Sequence, residues 1–305
     1  MKANFNLQLL RFFKSQNIGI DAVSGGEIEQ ALKAGFTGPD IVFSGVGKSH
    51  EEISLALREN VYQINVESLP ELERIVNLAD GKRASIALRV NPDISVKTHP
   101  YIATGLKDGK FGLAAEQMEE AIRILKQTSE RIEFQGLSVH LGSQLMDLGP
   151  FSETFKFLLS LKAQFTKHGL EVKRLDVGGG FGINYETENT TAEDNNIREY
   201  GKLLTSALAD GVEILLEPGR YLVARAGTLM CQCEYVKITP HRNFLILNSG
   251  MNHFLRPALY EAEHRISPYQ ARSGDEIVFD IAGPICESSD FFAKARSLSP
   301  IQEGD

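Results

Sequence analysis

A strand, a loop and an amphipathic helix repeat along the chain to about residue 220, and this repeat restricts the possible folds more than any other feature. Short apolar segments predict seven strands: Ile18–Ser24, Ile41–Ser44, Val61–Glu67, Ser85–Asn91, Gln135–His140, Arg174–Val177 and Glu213–Glu217. Strands that alternate with helices form parallel sheets. With Met1–Asn4 as the remnant of another strand, the repeat predicts a (β/α)8 TIM barrel over residues 1–221.

The helices of the repeat are predicted from one-sided apolar stripes, such as Met118 with Ile122 and Leu125. The predicted helices are Gly26–Ala34, Glu51–Glu59, Leu69–Ala79, Ala115–Lys126, Phe151–His168 and Arg198–Asp210. Polar and glycine residues follow each predicted strand, which is where a barrel builds its binding site. A doubly wound open sheet is the alternative fold, but it would not require all these strand ends to converge.

The pattern changes after Arg220. Tyr221–Lys237, Asn243–Asn248 and Glu276–Ile281 are predicted strands without intervening helices. The sequence therefore predicts a small C-terminal β domain over residues 222–305, which we expect to be incomplete because the chain stops at a turn signal.

Charge and composition argue against several kinds of partner. The net charge of −8 and the absence of a basic run argue against nucleic acid and an anionic membrane surface. The sequence shows no apolar stretch of membrane-spanning length and no signal-peptide pattern. Three cysteines without a disulfide pattern predict a cytoplasmic protein, and scattered histidines argue against a protein-bound metal.

The segment Leu175–Tyr185, LDVGGGFGINY, is rich in glycine, which permits positive φ and close approach of a ligand to the backbone. Successive N–H groups in such a turn can bind a phosphate. A dinucleotide fingerprint is excluded because the glycine spacing is wrong and the following ETENTTAEDNN is predicted to be a polar loop. A glycine-rich turn without a ligand is the alternative.

Single residues at the predicted strand ends also have simpler explanations. Taken alone, Lys2 is a solvated terminal lysine and His140 is a histidine at the edge of the core. Glu217 could be an ion-pair partner of Arg220. The loop Asp93–Phe111 could be an ordinary surface excursion.

Taken together, ten ordered blocks resemble one known family. The blocks are KAN at Lys2, VSGGE, FSGVGKS, RVNPD, HPYIATG with KFG, VHLGSQ, DVGGGFG, EPGR, GMNHFLRPALY and GPICES. In this order they are similar to the pyridoxal-phosphate-dependent decarboxylases of the alanine-racemase fold (group IV), and among them to the diaminopimelate decarboxylase family. The resemblance covers essentially the whole chain.

The resemblance implies pyridoxal 5′-phosphate (PLP) as the cofactor. Lys2 would form the internal Schiff base, and His140 would lie against the cofactor ring. Glu217 would face the pyridine nitrogen and favour its protonated form. Gly178–Gly180 and Ser143 would hold the phosphate. The implied cofactor-binding set is Lys2, His140, Ser143, Gly178, Gly179, Gly180, Glu217, Pro218, Gly219 and Arg220.

The resemblance also implies a homodimer with shared active sites. Cys286, the proton donor, and Glu287, which would recognise the distal ammonium group, would come from the second subunit. Arg220, Arg256 and Tyr260 would hold carboxylates. A substrate with distal amino and carboxyl groups matches meso-2,6-diaminopimelate, and its decarboxylation gives L-lysine and CO2.

Two alternatives stay open at this point. One is a related ornithine-, arginine- or carboxynorspermidine-type decarboxylase, although ornithine would leave Arg256 without a carboxylate. The other is a non-catalytic PLP-binding homologue, because the resemblance implies that segments at both ends of the family's chain are missing. Asn248-Ser249 also replaces the Asp-Ala that usually precedes Gly-Met in the family.

Overall fold

The computed structural model describes residues 1–94, 109–208 and 211–305. The chain divides into two compact units. The first contains Met1–Ile183 and Glu193–Arg225, and the second contains Asn184–Ala192 and Ala226–Asp305. The predicted boundary after residue 221 differs from this division, since residues 222–225 lie in the first unit and the segment 184–192 lies in the second.

The first unit is built on a parallel sheet of seven strands in sequence order. The strands are β1 (Ile20–Ala22), β2 (Ile41–Phe43), β3 (Gln63–Val66), β4 (Ala84–Arg89), β5 (Ile132–Ser138), β6 (Arg174–Asp176) and β7 (Glu213–Leu215). Sequence order combined with parallel pairing is the winding of a (β/α) barrel, so the predicted fold class is confirmed. Met1–Asn4 forms a turn rather than a strand, with the Asn4 N–H donating to the Met1 carbonyl at 3.0 Å.

Helices surround this sheet in the order that the repeat predicts. They are α1 (Leu7–Ser15), α2 (Gly25–Lys33), α3 (His50–Glu59), α4 (Leu69–Leu78), α5 (Met118–Gln127), α6 (Gly149–Lys167), α7 (Thr191–Leu208) and α8 (Gly219–Val223). Their apolar stripes pack on the strands, as with the fully buried Ile53 of α3 and Leu72 of α4. Burial of each such side chain contributes about 1.5–3 kcal/mol.

Serines that follow the early strands cap these helices. Ser24, Ser49 and Ser68 precede α2, α3 and α4, and each side chain accepts the backbone N–H of the third residue along. An N-cap of this kind contributes about 1 kcal/mol. The polar residues at these positions therefore belong to the scaffold.

Helices α1 and α7 differ from the sequence prediction. Helix α1 was not predicted, and α7 begins at Thr191 rather than at Arg198, inside the stretch predicted to be a polar loop. The physical signals are local. The Asn6 side chain accepts N–H groups at the start of α1, and Glu193 and Asp194 occupy the first turn of α7, where negative charge is favourable.

The second unit contains a four-stranded mixed sheet in the order β11-β10-β9-β8. The strands are β8 (Cys233–Ile238), β9 (Asn243–Leu247), β10 (Ile277–Ala282) and β11 (Phe291–Leu298), with the short helix α9 (Arg256–Tyr260) between β9 and β10. Within this sheet β9 and β10 pair in parallel, whereas β8 with β9 and β10 with β11 pair antiparallel. Cys233, Leu245 and Phe279 form part of its core.

The predicted strand Tyr221–Lys237 is wrong in its first half. Residues up to Val223 belong to α8, and Ala224–Ala226 forms a 3-10 turn. Tyr221 packs against the core of the first unit, and its ring lies 6.2 Å from that of Phe181. This packing favours a helix at the end of the barrel over continuation as a strand.

Within the described residues, no helix combines the length and the apolar character needed to cross a membrane.

Candidate functional site

The loops after β5, β6 and β7 converge in the first unit. The Gly179 N–H donates to Nδ1 of His140 at 3.3 Å, and the same nitrogen lies 3.9 Å from Oε2 of Glu217. His140, the glycine loop and Glu217 thus come from three successive strand ends and meet at one place, as the barrel predicts.

The glycine loop is required by the packing of these three strand ends. A Cβ on Gly179 would lie 1.9 Å from the carbonyl oxygen of Glu217, and one on Gly178 would lie 2.4 Å from that of Val139. Gly180 has a φ of 103°, and a Cβ there would lie 2.5 Å from the carbonyl oxygen of Gly142. Any side chain at these positions would separate the loops.

Glu217 and Asp176 share a hydrogen bond in the interior of the barrel. Burial raises the pKa of Glu217 well above its ordinary value, and the negative charges of Asp176 and Asp21 raise it further. Burial also raises the pKa of Asp176, against hydrogen bonds from Asn65, Glu217 and the Gly178 N–H. One proton is therefore held between the two carboxyl groups.

A chain of polar side chains continues from this pair across the sheet. Asn65 Nδ2 donates to Asp176 Oδ2 at 2.9 Å and to Ser44 Oγ at 3.0 Å, while Asn65 Oδ1 accepts from Gln63 at 2.8 Å. Ser44 hydrogen-bonds Asp21, whose pKa is raised by burial. The chain links residues of β1, β3 and β6, and it fixes the carboxylate of Asp176.

His140 is neutral. Burial lowers its pKa to about 3, and the positive charges of Arg89 and Lys2 act in the same direction. Because Nδ1 accepts the Gly179 N–H, the ring proton is on Nε2. The ring therefore brings no positive charge to the centre of the site.

Arg89 is a buried cation that pairs with Glu67. Its Nη1 lies 2.5 Å from Oε1 of Glu67, whose second oxygen accepts the Gly112 N–H at 2.9 Å. The guanidinium also lies 4.9 Å from the centre of the Phe111 ring. Phe111 and Gly112 belong to the KFG block, so this block contacts the Arg89–Glu67 pair. The HPYIATG block (His99–Gly105) lies outside the described residues.

Lys2 lies in the N-terminal turn, between the two edge strands. The Met1 ammonium donates to the Asp21 carbonyl at 2.9 Å, and Ala3 Cβ would be 3.3 Å from a Cβ on Gly219. The positive charge of Lys2 is near enough to contribute to the lowered pKa of His140. It also acts against the rise that burial causes in the pKa of Asp21. The structure therefore brings Lys2 together with His140 and the loop after β7.

A hydroxyl and a guanidinium complete this part of the site. Arg220, at the start of α8, donates from Nη2 to Ser143 Oγ at 3.1 Å. Ser143 follows Gly142, whose carbonyl contacts the glycine loop. Ser143, Arg220 and Gly180 therefore lie in neighbouring loops.

The other predicted site residues lie in the second unit. Arg256 and Tyr260 begin and end α9, while Cys286 and Glu287 are exposed in the loop between β10 and β11. Arg256 Nε donates to Nε2 of His264 at 3.3 Å. The structure thus groups the predicted substrate residues by unit, with Arg220 in the first and the rest in the second.

Asp290 fixes the loop that carries Cys286 and Glu287. Its side chain is buried, and its two oxygens accept the N–H groups of Met251 at 2.7 Å and Ile285 at 2.8 Å. A Cβ on Gly250 or Gly283 would lie within 2.8 Å of an Asp290 oxygen. The GMNHF and GPICES blocks are therefore joined through one carboxylate.

The substitution Asn248-Ser249 has local partners. Asn248 Oδ1 accepts the Gln232 N–H at 3.0 Å, and Ser249 Oγ lies 3.1 Å from Nδ1 of His253. The two residues therefore support β8 and the turn before α9.

Known proteins identify the family. A sequence profile described as the pyridoxal binding domain of pyridoxal-dependent decarboxylases matches residues 1–224. The diaminopimelate decarboxylase of Vibrio cholerae is 41% identical over 309 residues, covering 100% of this chain and 73% of that protein. The chain belongs to the diaminopimelate decarboxylase family. The enzyme of that name from Aquifex aeolicus is 39% identical over 308 residues, covering 100% of this chain and 72% of its own.

Solved structures of diaminopimelate decarboxylases agree with this assignment. The Helicobacter pylori enzyme, in complex with L-lysine, has a TM-score of 0.92 and 40% identity, covering 100% of this chain and 76% of that one. The M. jannaschii enzyme, also with L-lysine, has a TM-score of 0.86 and 36% identity, covering 99% and 71%. A Chlorella virus arginine decarboxylase at 21% identity shares the fold, with a TM-score of 0.84.

Diaminopimelate decarboxylases are pyridoxal-dependent, as the sequence predicted. The residues present fit this cofactor. Among the hydrogen bonds of the described residues, none uses the N–H groups of Gly180 or Phe181, and Gly180 lies against Gly142, the residue before Ser143. Within the same residues, no cluster of side chains could hold a metal ion.

Sequence analysis did not identify Asn65, Asp176, Asp290 or His264 as parts of the site. Asn65 gave a weak signal, since the short strand β3 carries two amides, Gln63 and Asn65, and a buried amide needs a hydrogen-bond partner. Asp176 is the first residue of the DVGGGFG block, and Asp290 lies two residues after the GPICES block. Their partners are distant in sequence, however, and only the folded chain shows them.

Proposed function

We propose that this chain removes one carboxyl group from meso-2,6-diaminopimelate and produces L-lysine and CO2. The observation that carries the proposal is the full-chain similarity to diaminopimelate decarboxylases, two of them solved with L-lysine. The predicted cofactor residues, Arg256, Cys286 and Glu287 all lie within the part of the chain that this similarity covers. The arginine decarboxylase likeness shows the fold alone, so it does not favour an arginine-type activity.

The first unit would hold PLP. The amine of Lys2 would bind it covalently, as lysine amines bind carbonyl groups. The N–H groups of Gly180 and Phe181, with Ser143 and Arg220, would bind the phosphate. When bound, PLP supplies an electron sink that stabilises the charge left at the α-carbon as CO2 departs.

Glu217 would set the protonation of the cofactor ring. Its raised pKa keeps a proton on the Asp176–Glu217 pair, at the place where the ring nitrogen would face Glu217. Transfer of that proton to the nitrogen would leave a carboxylate, which favours the protonated ring. His140 would contribute a flat and uncharged ring, because its pKa of about 3 keeps it neutral at physiological pH.

The second unit would select the substrate and return the proton. Arg256 and Tyr260 would bind the distal carboxylate, for which a guanidinium fork is suited. Glu287 would pair with the distal ammonium group, and the Cys286 thiol would protonate the α-carbon. We infer a homodimer in which Cys286 and Glu287 serve the partner's site, which is supported by their exposure.

We further infer a cytoplasmic location, supported by three free cysteines, Cys231, Cys233 and Cys286. Reduced thiols are typical of that compartment.

The test is turnover of meso-2,6-diaminopimelate by the purified chain loaded with PLP, followed by detection of L-lysine. Arg256→Met should abolish most of this turnover while leaving PLP bound. Borohydride reduction and peptide mapping should place the cofactor on Lys2. Turnover of ornithine or arginine in preference to diaminopimelate would contradict the substrate, whereas bound cofactor without any turnover would favour a non-catalytic homologue.

A further inference from the structure

His264 is the hydrogen-bond partner of Arg256 in the second unit. The Nε–H of Arg256 donates to Nε2 of His264 at 3.3 Å. An imidazole nitrogen accepts only when it carries no proton, so His264 acts here as the neutral tautomer with its proton on Nδ1. The bond ties the first residue of α9 to the segment that follows the helix.

The imidazole of His264 is held by aromatic rings. Its centre lies 4.3 Å from that of Tyr185 and 4.7 Å from that of Phe254. Tyr185 is itself held in place, because the backbone N–H of Arg265 donates to its carbonyl at 3.1 Å. The histidine ring therefore has little freedom to turn away from Arg256.

The guanidinium of Arg256 lies against the same aromatic group. Its central carbon is 5.4 Å from the centre of the Tyr185 ring and 5.8 Å from that of Tyr260. The rings favour a cation at this position but do not fix its rotation in the plane of the guanidinium. The hydrogen bond at Nε constrains this rotation, since a guanidinium is planar and its donors have a fixed geometry.

We propose that His264 is a positioning residue that orients Arg256 for the distal carboxylate of the substrate. By accepting the Nε–H, it sets the direction in which the terminal nitrogens of the guanidinium point. An arginine that is oriented before binding loses less freedom when it pairs with a carboxylate. The proposal rests on the proposed function, which assigns Arg256 to that carboxylate.

Two variants separate the acceptor of His264 from its ring. His264→Phe keeps an aromatic ring beside Tyr185 and Phe254 but removes the acceptor. His264→Gln keeps an acceptor near the position of Nε2 but removes the ring. We expect the phenylalanine variant to raise KM for diaminopimelate about ten- to hundredfold with kcat nearly unchanged, because the lost contact acts on binding. The glutamine variant should stay within about threefold of wild type.

A pair of ligands tests whether the effect acts through the carboxylate. L-lysine retains a carboxylate, whereas cadaverine has the same two amines and no carboxylate. His264→Phe should weaken competitive inhibition by L-lysine about as much as it raises KM, and it should leave inhibition by cadaverine unchanged. Equal weakening of both ligands, or equal losses in the two variants, would overturn the proposal.

A measurement without substrate tests the contact itself. The Nε–H resonance of Arg256 can be identified by its loss in Arg256→Lys, and its hydrogen exchange should be slow in wild type and in His264→Gln. Exchange should become fast in His264→Phe, and slow exchange there would overturn the proposal. This result does not depend on which amino acid is decarboxylated, so failure of the proposed function would be seen separately.

Discussion

Asp176 and Glu217 face each other at the end of the barrel and hold one proton between them. Asp176 comes from β6 and is fully buried, while Glu217 follows β7 and keeps 17% of its side chain exposed. Two carboxyl groups so close and so buried cannot both ionise without a large loss of stability. Because burial of this pair is costly, the free energy of unfolding of the cofactor-free protein should depend on pH, and this dependence can be measured.

Glu217→Gln should remove part of this dependence. The pKa of Glu217 is raised in the folded chain above its ordinary 4.5, so the folded state keeps a proton that the unfolded chain releases. Stability contributed by this group is present below pH 4.5 and is lost as pH rises towards the raised pKa. Relative to wild type, the variant should gain up to about 1.4 kcal/mol per pH unit in this window. Urea unfolding of the cofactor-free protein measures it, and the exposed Glu116→Gln should follow wild type.

His140→Asn should change the pH dependence in the opposite direction. Burial lowers the pKa of His140 from 6.5 to about 3, so the unfolded chain binds a proton that the folded chain refuses. Wild type should therefore lose stability as pH falls below 6.5, and the asparagine variant should lose up to about 1.4 kcal/mol less per pH unit. The same unfolding series measures it. A slope unchanged by the substitution would mean that His140 is protonated in the folded chain.

Gly179→Ala should separate the strand ends that form the site. The added Cβ would lie 1.9 Å from the Glu217 carbonyl oxygen, and backbone would have to move. We expect a loss of about 1–3 kcal/mol in stability, together with weaker retention of PLP on dialysis. Gly201→Ala in α7 is the control, because nothing lies within 4 Å of its Cβ position. That variant should be neutral or up to about 1 kcal/mol more stable.

Asp290→Asn should loosen the loop that carries Cys286. Both oxygens of Asp290 accept backbone N–H groups, and an amide can accept through only one atom. We expect a loss of about 1–3 kcal/mol in stability and a lower rate of lysine formation. The exposed Asp275→Asn should change stability by less than about 0.5 kcal/mol. Wild-type stability in Asp290→Asn would show that this loop does not depend on the carboxylate.

Much of the barrel could be predicted because its signals are local. Each strand is a short apolar run, and the sheet follows sequence order, so that the strand prediction Glu213–Glu217 nearly matches β7. The errors have local causes too. The start of α7 is polar and was taken for a loop, although Glu193 and Asp194 suit a helix N-terminus. The prediction for Tyr221–Lys237 failed because apolar residues there pack as a helix on the barrel core.

The candidate site could be predicted only where its residues lie next to a strand end or in a recognised block. His140, Gly179 and Glu217 were found in this way and lie together, while their roles stay predictions. Asn65 and Asp176 are 111 residues apart in sequence, and their contact arises when the sheet curls. The pairing of His264 with Arg256 likewise depends on the aromatic rings around it, which no spacing in the sequence shows.

The serine caps at Ser24, Ser49 and Ser68 have a consequence for engineering. These residues follow strands at the same rim as the loops of the candidate site, so a mutational library chosen by position alone would vary them. Each substitution would remove a helix cap at a cost of about 1 kcal/mol without touching the substrate, and several together would use up the small margin by which a domain stays folded. A library aimed at new amino-acid substrates should leave the three serines constant and vary the surroundings of Arg256.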